Sequence, residues 1–187
     1  DKMPVDESFT PNPLSPYGVT KLSVEYYGRI FSQIYNLETV GLRYFNVFGP
    51  RQDPNSQYSA VIPKFINKIL INENPVIFGD GEQSRDFSYI DNVVDANMLA
   101  LTAKNVSGEV FNIACGERTT LNEMITMFGT CLNTNIKAEY TEPRSGDIKH
   151  SFANISKAKT LLGYQPKVTF KEDLKKTIDW YKNLNQK

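Results

Sequence analysis

Between Ser15 and Phe45 a helical repeat runs straight into an apolar, strand-like run, and that order confines the chain to folds in which helices pack across a sheet. Ser15-Pro16 supplies a cap followed by proline in the first helical turn. Leu22, Tyr26, Tyr27, Ile30, Phe31 and Ile34 then recur at helical spacing down to about Tyr35. Thr39-Val40-Gly41-Leu42-Arg43-Tyr44-Phe45 reads as a strand apolar enough to lie inside a covered sheet. Ahead of the helix, Pro4, Pro11, Pro13 and Pro16 bias their predecessors away from helix and predict an extended surface arm, ordered only by what it packs on.

The alternation continues downstream. A helix is expected over 61–72, with Ile62, Phe65, Ile66, Ile69 and Leu70 on its buried side and Pro63 tolerated only near its first turn. Further helices are expected over 91–103, 121–132, 156–162 and 171–184, and strands over 76–78, 85–89, 110–113 and 136–140. Asp80-Gly81 within Gly79-Asp80-Gly81 favours a tight turn. The class is α/β, with a later part that reads as a small mixed subdomain instead of a regular βαβ series.

Lys plus Arg number 21 and Asp plus Glu number 21, so no bulk field draws the chain to nucleic acid or an anionic membrane, and an anionic ligand must be held by a few placed cations. No apolar run is long enough to span a bilayer and the first residues do not read as a signal peptide, which makes the cytoplasm the default compartment. Cys115 and Cys131 form no Cys-x-x-Cys motif and read as core thiols. His150 is the one histidine, which excludes a multi-His metal site and leaves a Ser-His-Asp hydrolase dependent on that residue alone.

Tyr17 and Lys21 stand four residues apart at the start of the first helix, on one face of it. A tyrosine hydroxyl is a poor base at neutral pH, but a cation held nearby favours the phenolate and makes a general base. Tyr-x-x-x-Lys is also common on helix surfaces, so spacing alone leaves both readings open.

The surrounding blocks narrow them. Pro13-Leu14-Ser15-Pro16-Tyr17-Gly18-Val19-Thr20-Lys21, Gly41-Leu42-Arg43-Tyr44-Phe45-Asn46-Val47-Phe48-Gly49-Pro50-Arg51, Gly79-Asp80-Gly81-Glu82-Gln83-Ser84-Arg85-Asp86-Phe87 and Arg144-Ser145-Gly146-Asp147-Ile148 occur in that order. Together they resemble the extended short-chain dehydrogenase/reductase family, specifically its nucleotide-sugar epimerases and dehydratases, from about Asp6 to Trp180. The resemblance implies the C-terminal part of a Rossmann-type parallel sheet plus a small mixed α/β substrate-binding subdomain. Residues 1–60 would be the remainder of the NAD-binding domain, and 61–187 mainly the substrate-binding subdomain, with segments returning to the sheet. It further implies NAD as cofactor, Tyr17 as general base, Lys21 on the nicotinamide ribose, and Tyr44, Phe45 and Val47 on the cofactor side. The reaction would be 4-epimerisation of a UDP-hexose through a 4-keto intermediate, with NAD regenerated each turn.

The sequence departs from that pattern upstream. The family's glycine-rich phosphate loop and its catalytic serine or threonine precede the tyrosine and have no counterpart here; Gly79-Asp80-Gly81 meets Ser84 where a third glycine is needed. The expectation is therefore of an excised piece, a proteolytic fragment or one half of a split assembly, inactive and a poor NAD binder by itself.

For the substrate, Arg85 and Arg144 are natural diphosphate clamps, since a guanidinium fork matches two phosphate oxygens. The resemblance puts both on the diphosphate, Asp147 on the uridine ribose, Asn46 on the sugar nucleotide, and Val61, Lys64 and Phe78 by the base. For Asn46 a turn asparagine satisfied by backbone remains the alternative, and Arg51 and Arg118 read as surface residues. Ser151 lies four residues beyond Asp147, at a position that lines the sugar's C2 substituent in the proteins resembled. A serine there leaves room for an N-acetyl group. A 4,6-dehydratase or decarboxylase shares the tyrosine, lysine and NAD, and a non-catalytic binding or assembly fragment is the reading from another class. The aromatic-rich first helix resembles the one through which such enzymes pair, so a homodimer is expected.

Overall fold

The computed structural model describes residues 3–54, 61–144, 148–167 and 169–184. The first helix, α1 (Pro16–Tyr35), begins where expected: the Ser15 side chain accepts from the Gly18 N–H, and proline fills the first turn. It stops at Asn36, whose left-handed φ of 53° turns the chain out of the helix. Its apolar residues do not make a buried face. Val24, Tyr27, Phe31 and Ile34 are all exposed, although their spacing is that of a packed helix.

Strand β1 (Val40–Tyr44) follows and pairs in parallel with β6 (Glu109–Ile113), the connection passing through α3 (Ile90–Thr102). Asn46, at a φ of 34°, bends the chain after β1, so that β2 (Val47–Phe48) leaves that pair and runs parallel to β5 (Ser88–Tyr89) instead. Beneath β1 and β6 lies one apolar cluster, with Val93 and Ala96 of α3, Phe111, Ile113, Ala114 and Tyr164 buried, closed by Ala158 and Leu162 of α5 (Ser156–Leu162).

A second cluster gathers Ile62, Phe65 and Ile66 of α2 (Val61–Leu70), Met124 and Phe128 of α4 (Leu121–Leu132), and Leu174 and Ile178 of α6 (Phe170–Leu184). It packs around Phe48 and around Ile77 of β3 (Val76–Phe78). Each fully buried phenylalanine or isoleucine contributes about 1.5–3 kcal/mol of transfer free energy, which holds three short helices on very little sheet. β3 pairs in parallel with β8 (Glu139–Thr141), and β4 (Ser84–Arg85) pairs antiparallel with β7 (Thr119–Thr120). The expected α/β class is the one the structure has, with three of four strand pairings parallel among the described residues.

Several boundaries differ from expectation for local reasons. The run 85–89 is two strands, because Asp86 and Phe87 turn inward between them. The strand expected over 136–140 starts at Glu139, since Ile136 and Ala138 are drawn onto the second cluster. Segments 76–78 and 84–85 do not pair with each other across the Gly79-Asp80-Gly81 turn; each finds a distant partner. Gly81 sits at φ +78° with an added Cβ only 2.1 Å from the Asn122 side-chain oxygen, so the turn is pressed against the start of α4. Cys115 and Cys131 are free and half-buried at the edges of the clusters.

The opening arm gains its order as the proline pattern requires. The Val5 N–H donates to Phe152, the Asn154 N–H and the Asn112 side-chain amide donate to the Val5 carbonyl, and Glu7 accepts from the Asn112 N–H at 2.7 Å. Among the described residues no helix is long and apolar enough to cross a membrane, and no group of three or more His, Cys, Asp or Glu is placed to hold a metal ion.

Candidate functional site

Two recesses flank the C-terminal end of β1. The first is a cavity of about 460 Å³ between α2, β3 and β4, lined by Asn46, Val61, Lys64, Phe78, Arg85 and Arg144 among others. Those six were singled out from sequence, and the fold brings them together from five separate segments. Gln83, Lys68 and Leu121 also line it and were not singled out. Lys68 could have been found as the residue one helical turn after Lys64; Gln83 lies inside a quoted block.

The wall is electropositive. Lys64, Lys68, Arg85 and Arg144 contribute cations, and no carboxylate is among the described lining residues. Lys68 is paired with Glu73. Arg85 is steered by its own strand: Nη1 donates to the carbonyls of Ser84 (3.0 Å) and Lys149 (3.2 Å). The Arg144 guanidinium lies 3.7 Å from the centre of the Phe78 ring, a cation–π stack that holds charge at the cavity's rim. Phe78 is itself fixed by the Gln83 amide, which donates to its carbonyl at 2.6 Å.

Asn46 lines this cavity and also fulfils its backbone-satisfied alternative, because its Nδ2 donates to the Asp86 carbonyl at 2.9 Å. Ser151 does not line the cavity; its N–H donates to the Ser84 carbonyl, which lays the 149–151 segment beside Arg85. Asp147 falls outside the described residues, as do Ser145 and Gly146.

The second recess is a groove of about 780 Å³ between α1 and β1 that takes in Tyr17, Lys21 and Tyr44. The Lys21 ammonium lies 5.3 Å from the centre of the Tyr17 ring, as the four-residue spacing requires. Tyr17 and Tyr44 are exposed to it, and the Tyr44 hydroxyl donates to the Asn97 side chain at 3.1 Å. Phe45 and Val47 are not part of the groove; they pack against the cluster beneath β1. A feature not read from the sequence fixes the groove's walls: Arg43 of β1 makes a two-pronged ion pair to Glu25 of α1, at 2.8 and 2.7 Å. Glu25 is four residues beyond Lys21, on the same helix face, which is the signal that could have revealed it.

Other chemistry can be set aside on geometry. Ser84 lies 2.9 Å from His150 Nδ1, but Ser84 is only 3% exposed, so no substrate carbonyl reaches its hydroxyl. Burial pushes the Cys115 thiol up to about 12, which removes it as a nucleophile. Arg51 and Arg118 are exposed, and the Arg118 guanidinium rests 5.6 Å from the centre of the Phe152 ring.

Residues 1–114 match the model of the NAD dependent epimerase/dehydratase family. The chain is 41% identical over 184 residues to a putative UDP-glucose 4-epimerase of Methanocaldococcus jannaschii, covering 98% of this chain and 59% of that protein. Among solved structures it is similar to a UDP-N-acetylglucosamine 4-epimerase from Methanobrevibacter ruminantium in complex with UDP-N-acetylmuramic acid (45% identity, TM-score 0.92, 97% of this chain and 58% of that one). It is also similar to a UDP-glucuronic acid 4-epimerase from Bacillus cereus in complex with UDP-glucuronic acid and NAD (38% identity, TM-score 0.87, 96% and 56%). The chain thus spans a little under three-fifths of the length of each protein it matches here.

Proposed function

Because the chain belongs to the NAD dependent epimerase/dehydratase family, we propose that it carries the tyrosine base and the diphosphate grip of an NAD-dependent UDP-hexose 4-epimerase. The observation that carries this reading is the pairing of a cavity walled by Lys64, Arg85 and Arg144, with no carboxylate among its described lining residues, with a Tyr–Lys groove at the end of one strand. Arg85 and Arg144 hold the diphosphate, Phe78, Val61 and Lys64 take the base side, and Asn46 stands between grip and groove. Asp147 is assigned to the uridine ribose. On this reading residues 1–60 belong to the cofactor-binding unit and 61–187 mainly to the substrate-binding one, and the protein works in the cytoplasm.

The groove fits the nicotinamide end of NAD, with an aromatic ring, an ammonium and a tyrosine hydroxyl around one opening at the carboxyl end of a parallel strand. Nothing in it offers a helix-opening glycine loop to the pyrophosphate, since Gly79-Asp80-Gly81 lies between β3 and β4. When bound, NAD supplies the hydride acceptor and donor at sugar C4. Tyr17 takes the C4 hydroxyl proton as the C4–H bond breaks and a carbonyl forms, and it returns that proton to the oxygen once hydride has added to the opposite face. Lys21 places its side-chain nitrogen beside the tyrosine ring. The arginines hold the diphosphate while the keto sugar turns between them and the tyrosine. The exposed Ile30 and Ile34 of α1, which do not line the groove, suit a second copy of the same helix, giving a homodimer.

The reading is tested by giving the complete protein UDP-glucose, then UDP-N-acetylglucosamine, with no added oxidant. Both C4 epimers are expected, with no net accumulation of reduced nicotinamide. Stoichiometric accumulation of reduced cofactor, or a 4-keto-6-deoxy product, would replace epimerisation by oxidation or dehydration.

Ser151, outside the described cavity but laid beside Arg85 by its bond to Ser84, is the proposed gate for the C2 substituent of a sugar running from the diphosphate toward Tyr17. Ser151→Tyr should lower kcat/KM for the N-acetylated sugar at least about tenfold more than for UDP-glucose, the discrimination a filled pocket commonly gives. Equal losses on the two sugars, or none on either, would remove Ser151 from that role.

A further inference from the structure

Asp86 is 0% exposed, and its carboxylate joins three chain segments. Oδ1 accepts from the Cys115 N–H at 2.8 Å, and Oδ2 accepts from the Gly116 N–H at 3.0 Å and the Ala153 N–H at 3.5 Å. Its main-chain carbonyl accepts from the Asn46 side chain at 2.9 Å, and its neighbours Arg85 and Phe87 both line the cavity. We propose, resting on the sugar-nucleotide reading of that cavity, that Asp86 is a positioning residue for it. The carboxylate ties the end of β6 and the 151–153 segment to the β4–β5 turn, so that Arg85, Phe87 and Asn46 face the ligand together.

The electrostatics argue against a role in stability alone. Among the described residues no cation is placed to repay the carboxylate's desolvation. Of the titratable groups packed around it, Glu117 is like-charged, and the Cys115 thiol and Tyr164 hydroxyl are both pushed upward by burial. Burial accordingly raises Asp86 to about 6, against the pull of its three amide bonds. Because its folded-state pKa lies above the usual carboxylate value, this group favours the folded state most at acid pH and loses that contribution as pH rises through about 6. At neutral pH the protein therefore holds an ionised group that folding alone disfavours. What ionisation secures is geometry: both oxygens of a carboxylate accept, whereas the acid turns one of them into a donor facing an N–H, and a loop comes loose.

The prediction is read by binding, using UDP-glucose, whose diphosphate has no secondary ionisation in the window. The complete protein should lose affinity by about tenfold between pH 7.5 and 5, the cost of a released hydrogen bond to a charged group. Asp86→Asn should bind about tenfold more weakly at pH 7.5 and show no such pH dependence, with KM rising more than kcat falls. An imidazole can also change charge in this range, and His150 is bonded to Ser84, so His150→Gln is measured in parallel and should keep the wild-type profile. Should Asp86→Asn fail to fold, the profiles of wild type and His150→Gln still decide. A flat wild-type profile, a profile abolished by His150→Gln, or a pH dependence retained in Asp86→Asn overturns the proposal. Absence of UDP-glucose binding by the wild type at every pH overturns the functional reading itself.

Discussion

Tyr17→Phe in the complete protein lowers kcat for epimerisation by about three orders of magnitude, within the range general base catalysis contributes, while the Kd for UDP-glucose changes less than about twofold. The split follows from where the residue stands. Tyr17 opens onto the groove between α1 and β1, while the charged and apolar contacts of the grip lie in the cavity on the other side of Asn46. Phenylalanine keeps the ring against Lys21 and deletes only the oxygen that accepts the proton, so little contact area is lost. Kinetics of the variant and equilibrium binding of UDP-glucose check both halves. Loss of affinity in step with turnover would make Tyr17 a binding residue and break the division of labour between groove and cavity.

The second large effect is the mirror image. Arg85→Ala should raise the Kd for UDP-glucose by about thirty- to a hundredfold, the worth of a hydrogen bond to a charged phosphate in a partly buried site. Arg85→Lys should recover only part of it, because an ammonium cannot offer the two-pronged fork that the Ser84 and Lys149 carbonyls orient. Calorimetric titration with UDP-glucose beside thermal melting separates the readings. An unchanged Kd with a lowered melting temperature would mean that Arg85 serves β4 and not the ligand.

Much of this site was legible because its residues sit in blocks whose local chemistry is strong. Ser15-Pro16 announces the start of α1, and the four-residue step from Tyr17 to Lys21 fixes their common face before any tertiary contact is known. The bounds of α4 and α5 were readable for the same kind of reason: Thr120 and Glu123 form a reciprocal cap, and Gly163 closes α5 in a left-handed turn. β2 and β7 were not readable, since two residues carry no periodicity and each exists only through a partner more than thirty residues away. What covers α1 was not readable for a related reason. A 3.6-residue repeat reports that a face is apolar, and says nothing about what covers it. Asp86 escaped notice because a carboxylate in a polar block reads as surface, and only the folded chain brings the amides of residues 115, 116 and 153 around it.

Tyr44 and Asn46 are separated by a single residue, yet one faces the groove and the other the cavity. Their Cα atoms can be no more than about 7 Å apart whatever the rest of the molecule does. One wall residue of the groove and one of the cavity are therefore registered to each other by covalent geometry. If the two apolar clusters slide or tilt, both faces are carried along from the same short stretch of backbone, and the disturbance enters as a common-mode displacement that largely cancels in their difference. Such an arrangement tolerates looseness between its halves. It also leaves the walls contributed by α2 and β3 free to vary in sequence and reshape ligand preference, while groove and cavity keep a common reference point at the end of β1.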